Sequence, residues 1–342
     1  MKQSIYLSIY LMTVYLIFKP IKLHKKYFFI LWYIALILLT YAIQSVVGNY
    51  DTDLEKYMLL FQLEDFVWTP QYVREPLFWF LGRFVYSIVN DRNITFFILN
   101  SMLAVVLYKG FTSNLNWISK KNDDTVGYVL FGYLLFFPFL VGMHALYRQF
   151  FSMALFICAV GYAGNHKLFK ASVLFLFSVL FHNMAILFTP LFVFALRRAR
   201  SGWIIVLNLL ILPFALQMTE SSDNEFLVRH SINYLPYLAI AFFVVLCFIL
   251  VVMFAPNLAG KSNKDTVRLK YFMLLLTLIY LISFFSIDSN LTIERVGIYC
   301  FGITFFLLGC YMEYFSQKNA FKLFFFHLSL IPLLTFYNSL LQ

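Results

Sequence analysis

Charged side chains are scarce in this chain. Of its 342 residues, 12% are Asp, Glu, Lys or Arg and 62% are hydrophobic, whereas a soluble domain carries about 25% charged residues. This deficit excludes a soluble fold for any substantial part of the chain. The apolar runs, such as 31–40 and 239–255, are continuous and do not alternate with polar residues. They therefore predict membrane helices and exclude the strands of a membrane barrel.

Paired cysteines and the common nucleotide- and metal-binding motifs are missing as well. The chain has no CxxC spacing, no Walker loop, no dinucleotide-binding glycine cluster and no HExxH, so we predict neither a cofactor nor a metal. The net charge of +10 is dispersed over short loops, which indicates membrane orientation rather than nucleic-acid binding. The four cysteines are interpreted as small apolar residues of membrane helices: Cys158, Cys247, Cys300 and Cys310.

Hydrophobic segments predict about twelve transmembrane helices in a single polytopic all-α domain that covers 1–342. The first segment is followed by lysines and has no small-residue cleavage site, so we expect an uncleaved span. The predicted spans lie near 4–18, 28–47, 94–109, 126–143, 148–164, 168–181, 183–196, 203–219, 236–255, 269–287, 295–313 and 323–340.

Two segments leave the topology open. Residues 76–90 are apolar but short, with Arg83 in the middle, and His182 interrupts the long segment 168–196. If 76–90 spans the membrane and 168–196 crosses it once, the lysines of 109–170 face outward. If 76–90 lies on the outer surface and 168–196 crosses twice, those lysines face the cytoplasm, which the positive-inside rule favours.

The favoured topology places residues 48–92 outside, as a loop that ends in an interfacial helix. Proline in the first turn of this helix is compatible with helical structure. Trp79 and Tyr86 are expected at the level of the lipid headgroups, and Arg83 can extend its charge towards water.

Outward positive charges in this topology are nearly all arginines. Arginine grips phosphate or carboxylate through two parallel hydrogen bonds, which lysine cannot do. Arg148 and Arg295 each begin an apolar span, where a charge costs a few kcal/mol unless it is paired or functional, so we interpret these two as functional. For Arg74, Arg92 and Arg229, pairing with a nearby acid or with headgroups is the better explanation. The outward arginines are Arg74, Arg83, Arg92, Arg148, Arg229 and Arg295.

His182 lies in the middle of the interrupted segment and has two interpretations. It is either a buried neutral histidine bonded to a backbone carbonyl or the tip of a helix hairpin at the outer face, with its imidazole lining a cavity. Interrupted membrane helices are tolerated only where protein or a water-filled cavity covers them, which favours the hairpin.

Acids and aromatic residues alternate at the start of the outer loop. Asp51 and Glu55 share one face if this segment is helical, while Tyr50, Tyr57 and Phe61 line a neighbouring face. Carboxylates accept hydrogen bonds from sugar hydroxyls and rings pack on sugar C–H faces. The pattern fits sugar recognition and a solvated amphipathic loop helix equally well.

Taken together, these residues resemble the EpsG-like family of Wzy-type polysaccharide polymerases, integral-membrane glycosyltransferases grouped with the GT-C architecture. The resemblance extends over essentially the whole chain, in order and spacing. The residues that carry it are the short first span with its lysines, Tyr50-Asp51 with Tyr57, Glu75-Pro76-Leu77-Phe78, Arg148-Gln149, His182 with Asn183-Met184-Ala185, and Arg295 with Tyr299.

The resemblance implies lengthening of O-antigen, capsule or exopolysaccharide on the outer side of the bacterial inner membrane. The donor would be a glycan on undecaprenyl diphosphate and the acceptor a hydroxyl of another lipid-linked repeat unit. It implies diphosphate contacts for Arg148 and Arg295, a phosphate-ligand or acid–base role for His182, and an acceptor-activating role for Asp51 or Glu75. Further substrate-binding candidates are Arg74, Arg83, Arg229, Tyr50, Tyr57, Gln149 and Tyr299.

Two other function classes remain open. One is another lipid-donor glycosyltransferase, such as an O-antigen ligase, and the other is a flippase for the same lipids. A flippase would carry cations along a cavity that opens to both faces, often with internal repeats. In the favoured topology the arginines are concentrated at the outer face, and no repeat is present, which favours a one-sided enzyme. Membrane lipid, a flippase and a chain-length regulator of the same pathway are the expected partners.

Overall fold

The computed structural model describes residues 2–18, 25–44, 53–62, 75–118, 126–135, 143, 146–196, 263–286 and 295–304, with isolated positions between 206 and 253. Every regular element in these ranges is a helix, which confirms the all-α prediction. In chain order the helices are α1 Lys2–Phe18, α2 Lys25–Gln44, α3 Asp53–Gln62, α4 Pro76–Val89, α5 Arg92–Ile118, α6 Val126–Leu134, α7 Tyr147–Gly164, α8 Leu168–Phe181, a 3₁₀ helix Asn183–Phe188, α9 Thr189–Ala195, α10 Asn263–Ser286 and α11 at 295–304.

Most of the predicted spans coincide with a helix, although their number stays a prediction. The predicted spans 203–219, 236–255 and 323–340 lie outside the described residues, apart from isolated positions. In the described part of the chain, one helix is long and apolar enough by itself to cross a membrane, at Arg92–Asn114 within α5. The 27 residues of α5 give a length of about 40 Å, against about 30 Å for the hydrocarbon core.

The predicted span 94–109 ends too early, because α5 continues to Ile118. Its polar side chains donate hydrogen bonds within the helix bundle. Ser113 Oγ donates to the Gly110 carbonyl at 3.2 Å. Asn114 Nδ2 donates to the carbonyls of Gly110, at 2.8 Å, and Ile157, at 2.7 Å. Side chains with such partners do not end a helix, although in the sequence they resemble a loop.

Helix α7 is the centre of the fold, with α5 and α8 packed along its length. All its residues are buried except Arg148 and Tyr162, which are partly exposed. The approach to α5 is close: a Cβ on Gly161 would lie 2.4 Å from Ser113 Oγ and 2.9 Å from the Asn114 backbone nitrogen. Glycine is therefore required for this packing distance, and α7 forms a rigid axis for the side chains at its ends.

Helix α2 is apolar on the face that packs against the protein and on the face that does not. Trp32 and Leu36 are fully buried, and Trp32 Nε1 donates to the Leu130 carbonyl of α6 at 3.1 Å. The opposite face would be polar on a soluble protein, yet here it exposes large apolar side chains, as is typical of a helix that contacts lipid. These exposed residues are Tyr27, Ile30, Leu31, Ile34, Leu38 and Tyr41.

The segment 168–196 doubles back at His182, as the hairpin interpretation predicts. His182 has extended backbone torsions, with φ −158° and ψ 122°, between α8 and the 3₁₀ helix. The rings of Phe175 in α8 and Phe192 in α9 stack with centroids 4.4 Å apart, so the two legs run side by side. Each leg is about 21–23 Å long, less than the about 30 Å of a hydrocarbon core. The number of membrane crossings made here remains a prediction.

Helices α3 and α4 cover the end of the bundle where α7 begins and α8 ends, here named the site end. Helix α4 packs on α5 and α8, and α3 packs on α4. Trp79 lies on the buried face of α4 and is 3% exposed, so it packs against protein, while its position at the headgroup level stays a prediction. The ring of Phe61 in α3 lies directly over Gly82, where a Cβ would meet it at 2.2 Å. The glycine therefore brings α3, with Tyr57, against the site end.

Candidate active site

Glu75 and Arg148 form an ion pair at the site end. Glu75 is the residue before Pro76, which occupies the first turn of α4, and its side chain does not cap that helix. Its carboxylate oxygen Oε2 instead accepts a hydrogen bond from a terminal guanidinium nitrogen of Arg148, in the first turn of α7. The carboxylate is 9% exposed and the guanidinium side chain 20%. A pair this far from water is expected to be held firmly, because breaking one partner leaves an uncompensated charge.

Aromatic rings surround the guanidinium of Arg148. Its central carbon lies 5.1 Å from the ring centroid of Tyr57 and 5.1 Å from that of Trp79, which are distances of cation–π contacts. Its Nε donates to the Tyr57 hydroxyl at 3.0 Å. Phe78 packs edge-on against both rings, with centroids 5.1 and 5.2 Å away. The rings orient the planar guanidinium and cover part of its surface.

His182 lies on the other side of the Glu75 carboxylate. Its Nε2 is 3.5 Å from Glu75 Oε1, and its Nδ1 accepts the Met184 backbone N–H at 3.3 Å. We assign the ring proton to Nε2, because Nδ1 faces a donor. Burial, followed by the positive charges of Arg295 and Arg148, lowers the pKa of His182 well below its usual value. The imidazole is therefore neutral at physiological pH and acts as a hydrogen-bond donor rather than a cation.

Arg295 begins α11 beside the start of α7. Gln149 Nε2 donates to the Arg295 backbone carbonyl, and the Arg295 charge is close enough to His182 to lower its pKa. Gln149 is 2% exposed, and its Oε1 has no hydrogen-bond partner among the residues that the structure describes. The site end thus holds two arginines, a neutral histidine, a carboxylate and an amide oxygen that can accept a hydroxyl hydrogen.

Several predicted site residues therefore meet in space although they are far apart in the sequence. The structure brings together Tyr57, Glu75, Arg148, Gln149, His182 and Arg295. Arg83 lies on α4 about 12 Å further along the helix than Glu75, and is partly buried. Tyr299 is fully buried one turn inside α11. Asp51, Tyr50, Arg74 and Arg229 lie outside the described residues.

Three residues that contact this cluster were not predicted from the sequence as parts of the site. Trp79 lies against Arg148, while Ser152 and Ser178 are fully buried one turn from Arg148 and His182. A signal was present for the serines: each is four residues from its charged or polar neighbour, the spacing of adjacent positions on one helix face. In the described part of the chain, no group of three His, Cys, Asp or Glu side chains is arranged to hold a metal ion.

A family model described as EpsG family matches residues 29–341, nearly the whole chain. The chain belongs to the EpsG family. This is a family of Wzy-like polysaccharide polymerases, and its members are membrane proteins, so the resemblance noted from the sequence is confirmed. No curated protein and no solved structure showed significant similarity to the chain. EpsG membership supports a broad role in polysaccharide polymerisation, with glycosyltransferase-like chemistry.

Proposed function

We propose that this member of the EpsG family lengthens a surface polysaccharide by moving a glycan from undecaprenyl diphosphate to a hydroxyl of another lipid-linked repeat unit. The reaction would take place on the outer side of the bacterial inner membrane, in a multi-pass protein of GT-C-like architecture. One observation carries the proposal: the Glu75 carboxylate lies between the Arg148 guanidinium and the His182 imidazole, beside Arg295.

The leaving group determines what the site has to supply. The bond that breaks joins the anomeric carbon to a diphosphate oxygen, and its electron pair leaves with undecaprenyl diphosphate. No nucleotide is needed, because the donor is already activated. Arg148 and Arg295 carry permanent positive charge and stabilise the growing negative charge more in the transition state than in the ground state. The neutral His182 donates a hydrogen bond from Nε2 to the diphosphate and remains uncharged.

Glu75 is the base in this proposal. The acceptor oxygen forms the new bond to the anomeric carbon, and its proton passes to the carboxylate. A carboxylate paired with a guanidinium is a poor proton acceptor, because the positive charge stabilises its ionised form. When the diphosphate pairs with the Arg148 guanidinium, Glu75 loses its positively charged partner and becomes a better base. Donor binding therefore activates the acceptor site, which limits transfer to complexes that hold the donor.

The remaining candidates have supporting roles in this scheme. Tyr57 and Trp79 orient Arg148. The Gln149 oxygen, which has no hydrogen-bond partner in the described part of the chain, accepts a hydrogen bond from a sugar hydroxyl. Asp51 is the second candidate for the base, and Tyr50, Arg74, Arg83 and Arg229 are candidates for contacts with glycan or diphosphate. The flippase that delivers repeat units and a chain-length regulator would act beside this protein.

Deletion of the gene tests the proposed class. Cells that lack a polymerase still make and export single repeat units, so we expect surface glycan capped with one unit and no ladder of longer products on a gel. Restoring the gene on a plasmid should restore the ladder. Loss of all surface glycan, single units included, would contradict the proposal and indicate a flippase or a ligase.

A further inference from the structure

Three buried hydroxyl groups form a cluster one helical turn inside the candidate site. Ser152, Ser178 and Tyr299 are each 0% exposed and belong to α7, α8 and α11. Ser152 Oγ donates to the Ser178 carbonyl at 2.7 Å, and Ser178 Oγ donates to the Ser152 carbonyl at 2.8 Å. The Tyr299 hydroxyl is hydrogen-bonded to Ser152 Oγ. We name these three residues the hydroxyl layer.

Each member of the hydroxyl layer lies four residues from a member of the candidate site. Ser152 follows Arg148, Tyr299 follows Arg295, and Ser178 precedes His182. Residues four apart are neighbours on one helix face. Because α8 runs antiparallel to α7, Ser178 precedes its site residue, whereas Ser152 and Tyr299 follow theirs. The last turn of α8 keeps this spacing through the backbone hydrogen bond from His182 N to the Ser178 carbonyl, at 3.1 Å.

Each hydroxyl group of the layer donates one hydrogen bond. With the Tyr299 hydroxyl donating to Ser152 Oγ, each of the three hydroxyl protons has one acceptor, and two of the acceptors are backbone carbonyls on the facing helix. Ser152 Oγ also lies 3.5 Å from the His182 carbonyl. The Tyr299 ring stacks on Phe188 at the end of the 3₁₀ helix, with centroids 4.7 Å apart and planes 16° apart. The layer therefore links α7, α8, α11 and the segment after His182.

We propose that the hydroxyl layer of Ser152, Ser178 and Tyr299 is a positioning set that fixes the register of three helices so that Arg148, His182 and Arg295 converge on one diphosphate. These residues touch no substrate in this scheme and act through the three residues one turn above them. Shifting one helix by a fraction of a turn would separate the two arginines. This role rests on the diphosphate site proposed above, and it replaces a direct substrate contact for Tyr299.

The affinity of the purified full-length protein for inorganic pyrophosphate tests this role, because a dissociation constant does not depend on how much protein is folded. Tyr299→Phe removes one hydroxyl and keeps the ring on Phe188, while Ser152→Ala removes the central hydroxyl. We expect each to weaken pyrophosphate binding about tenfold and to shorten the polymer ladder, since small misplacements of binding groups have effects of this order or larger.

Ser283→Ala is the matched control. Ser283 is also fully buried, but its hydroxyl donates at 2.7 Å to Ile279 of its own helix, so it links no helices. We expect its pyrophosphate affinity to equal that of the unchanged protein. If Tyr299→Phe cannot be purified, Ser178→Ala takes its place.

Wild-type pyrophosphate affinity in both Tyr299→Phe and Ser152→Ala would overturn the positioning role while leaving the diphosphate site intact. Failure of the unchanged protein to bind pyrophosphate, or wild-type affinity in Arg148→Lys, would overturn the diphosphate site itself and the positioning role with it.

Discussion

Replacing Arg148 or Arg295 with lysine is expected to slow polymerisation by about a hundred- to thousandfold, the usual loss when a charge-stabilising donor is removed from a transition state. Lysine keeps the positive charge, so a role in membrane orientation or charge screening would survive the change. The planar group that binds two phosphate oxygens at once would be lost. At Arg148 the contacts with the Tyr57 and Trp79 rings would weaken as well. Ladder length, at protein amounts matched by immunoblot, measures the effect.

Arg92→Lys is the control for the arginine variants. Arg92 begins α5, next to Asp91, whose carboxylate accepts the Ile94 backbone N–H at 2.9 Å. Surface ion pairs contribute roughly 0–1 kcal/mol, so this variant should keep a nearly normal ladder. Normal ladders in both Arg148→Lys and Arg295→Lys would show that the diphosphate is bound elsewhere, even though membership of the EpsG family would stand.

Glu75→Gln is expected to lower the rate of polymerisation without lowering the affinity for inorganic pyrophosphate. Loss of a general base typically costs a factor of about 10² to 10⁴ in rate, so the ladder should collapse. Removing the negative charge also frees Arg148 from its partner, so affinity for inorganic pyrophosphate should stay at the wild-type level or rise. Measuring rate and affinity on the same purified variant therefore distinguishes Glu75 from Arg148, where both should fall together.

The control for this change is Asp91→Asn, another replacement of a carboxylate by an amide. Asn caps a helix about as well as Asp, so the start of α5 should persist and the ladder should be unchanged. If Glu75→Gln made normal polymer, Glu75 would not be the base, and Asp51 would become the first candidate. If Glu75→Gln lost pyrophosphate affinity in proportion to rate, Glu75 would organise the site rather than accept the proton.

The helices and the charged members of the candidate site were predictable because their signals are local. Long apolar runs predict helices. An arginine that begins an apolar span costs free energy unless it is paired or functional, and this cost indicated Arg148 and Arg295. His182 was found because it interrupts such a run. The hairpin at this residue, seen in the stacking of Phe175 on Phe192, is what that interruption predicts.

The contacts between distant residues were not predictable from the sequence. Apart from the resemblance, which named Glu75 together with Asp51, nothing local distinguishes Glu75 from other acids of the outer loop. Its proposed role follows from Arg148 and His182, which are far along the chain. In the sequence, Trp79 resembles an interfacial tryptophan. In the structure, it is buried on α4 and contacts Arg148. The polar residues after 109 resemble a loop because their partners, such as the Ile157 carbonyl, belong to another helix.

Reconstitution tests the central claim most directly. The purified protein would be placed in liposomes with undecaprenyl-diphosphate-linked repeat units isolated from cells that lack the gene, with no nucleotide added. We predict glycans of two or more units, with one undecaprenyl diphosphate released for each new glycosidic bond, and a rate about a hundred- to thousandfold lower with Arg148→Lys. Repeat units that cross the bilayer without lengthening, or that lengthen without release of undecaprenyl diphosphate, would contradict the proposed reaction.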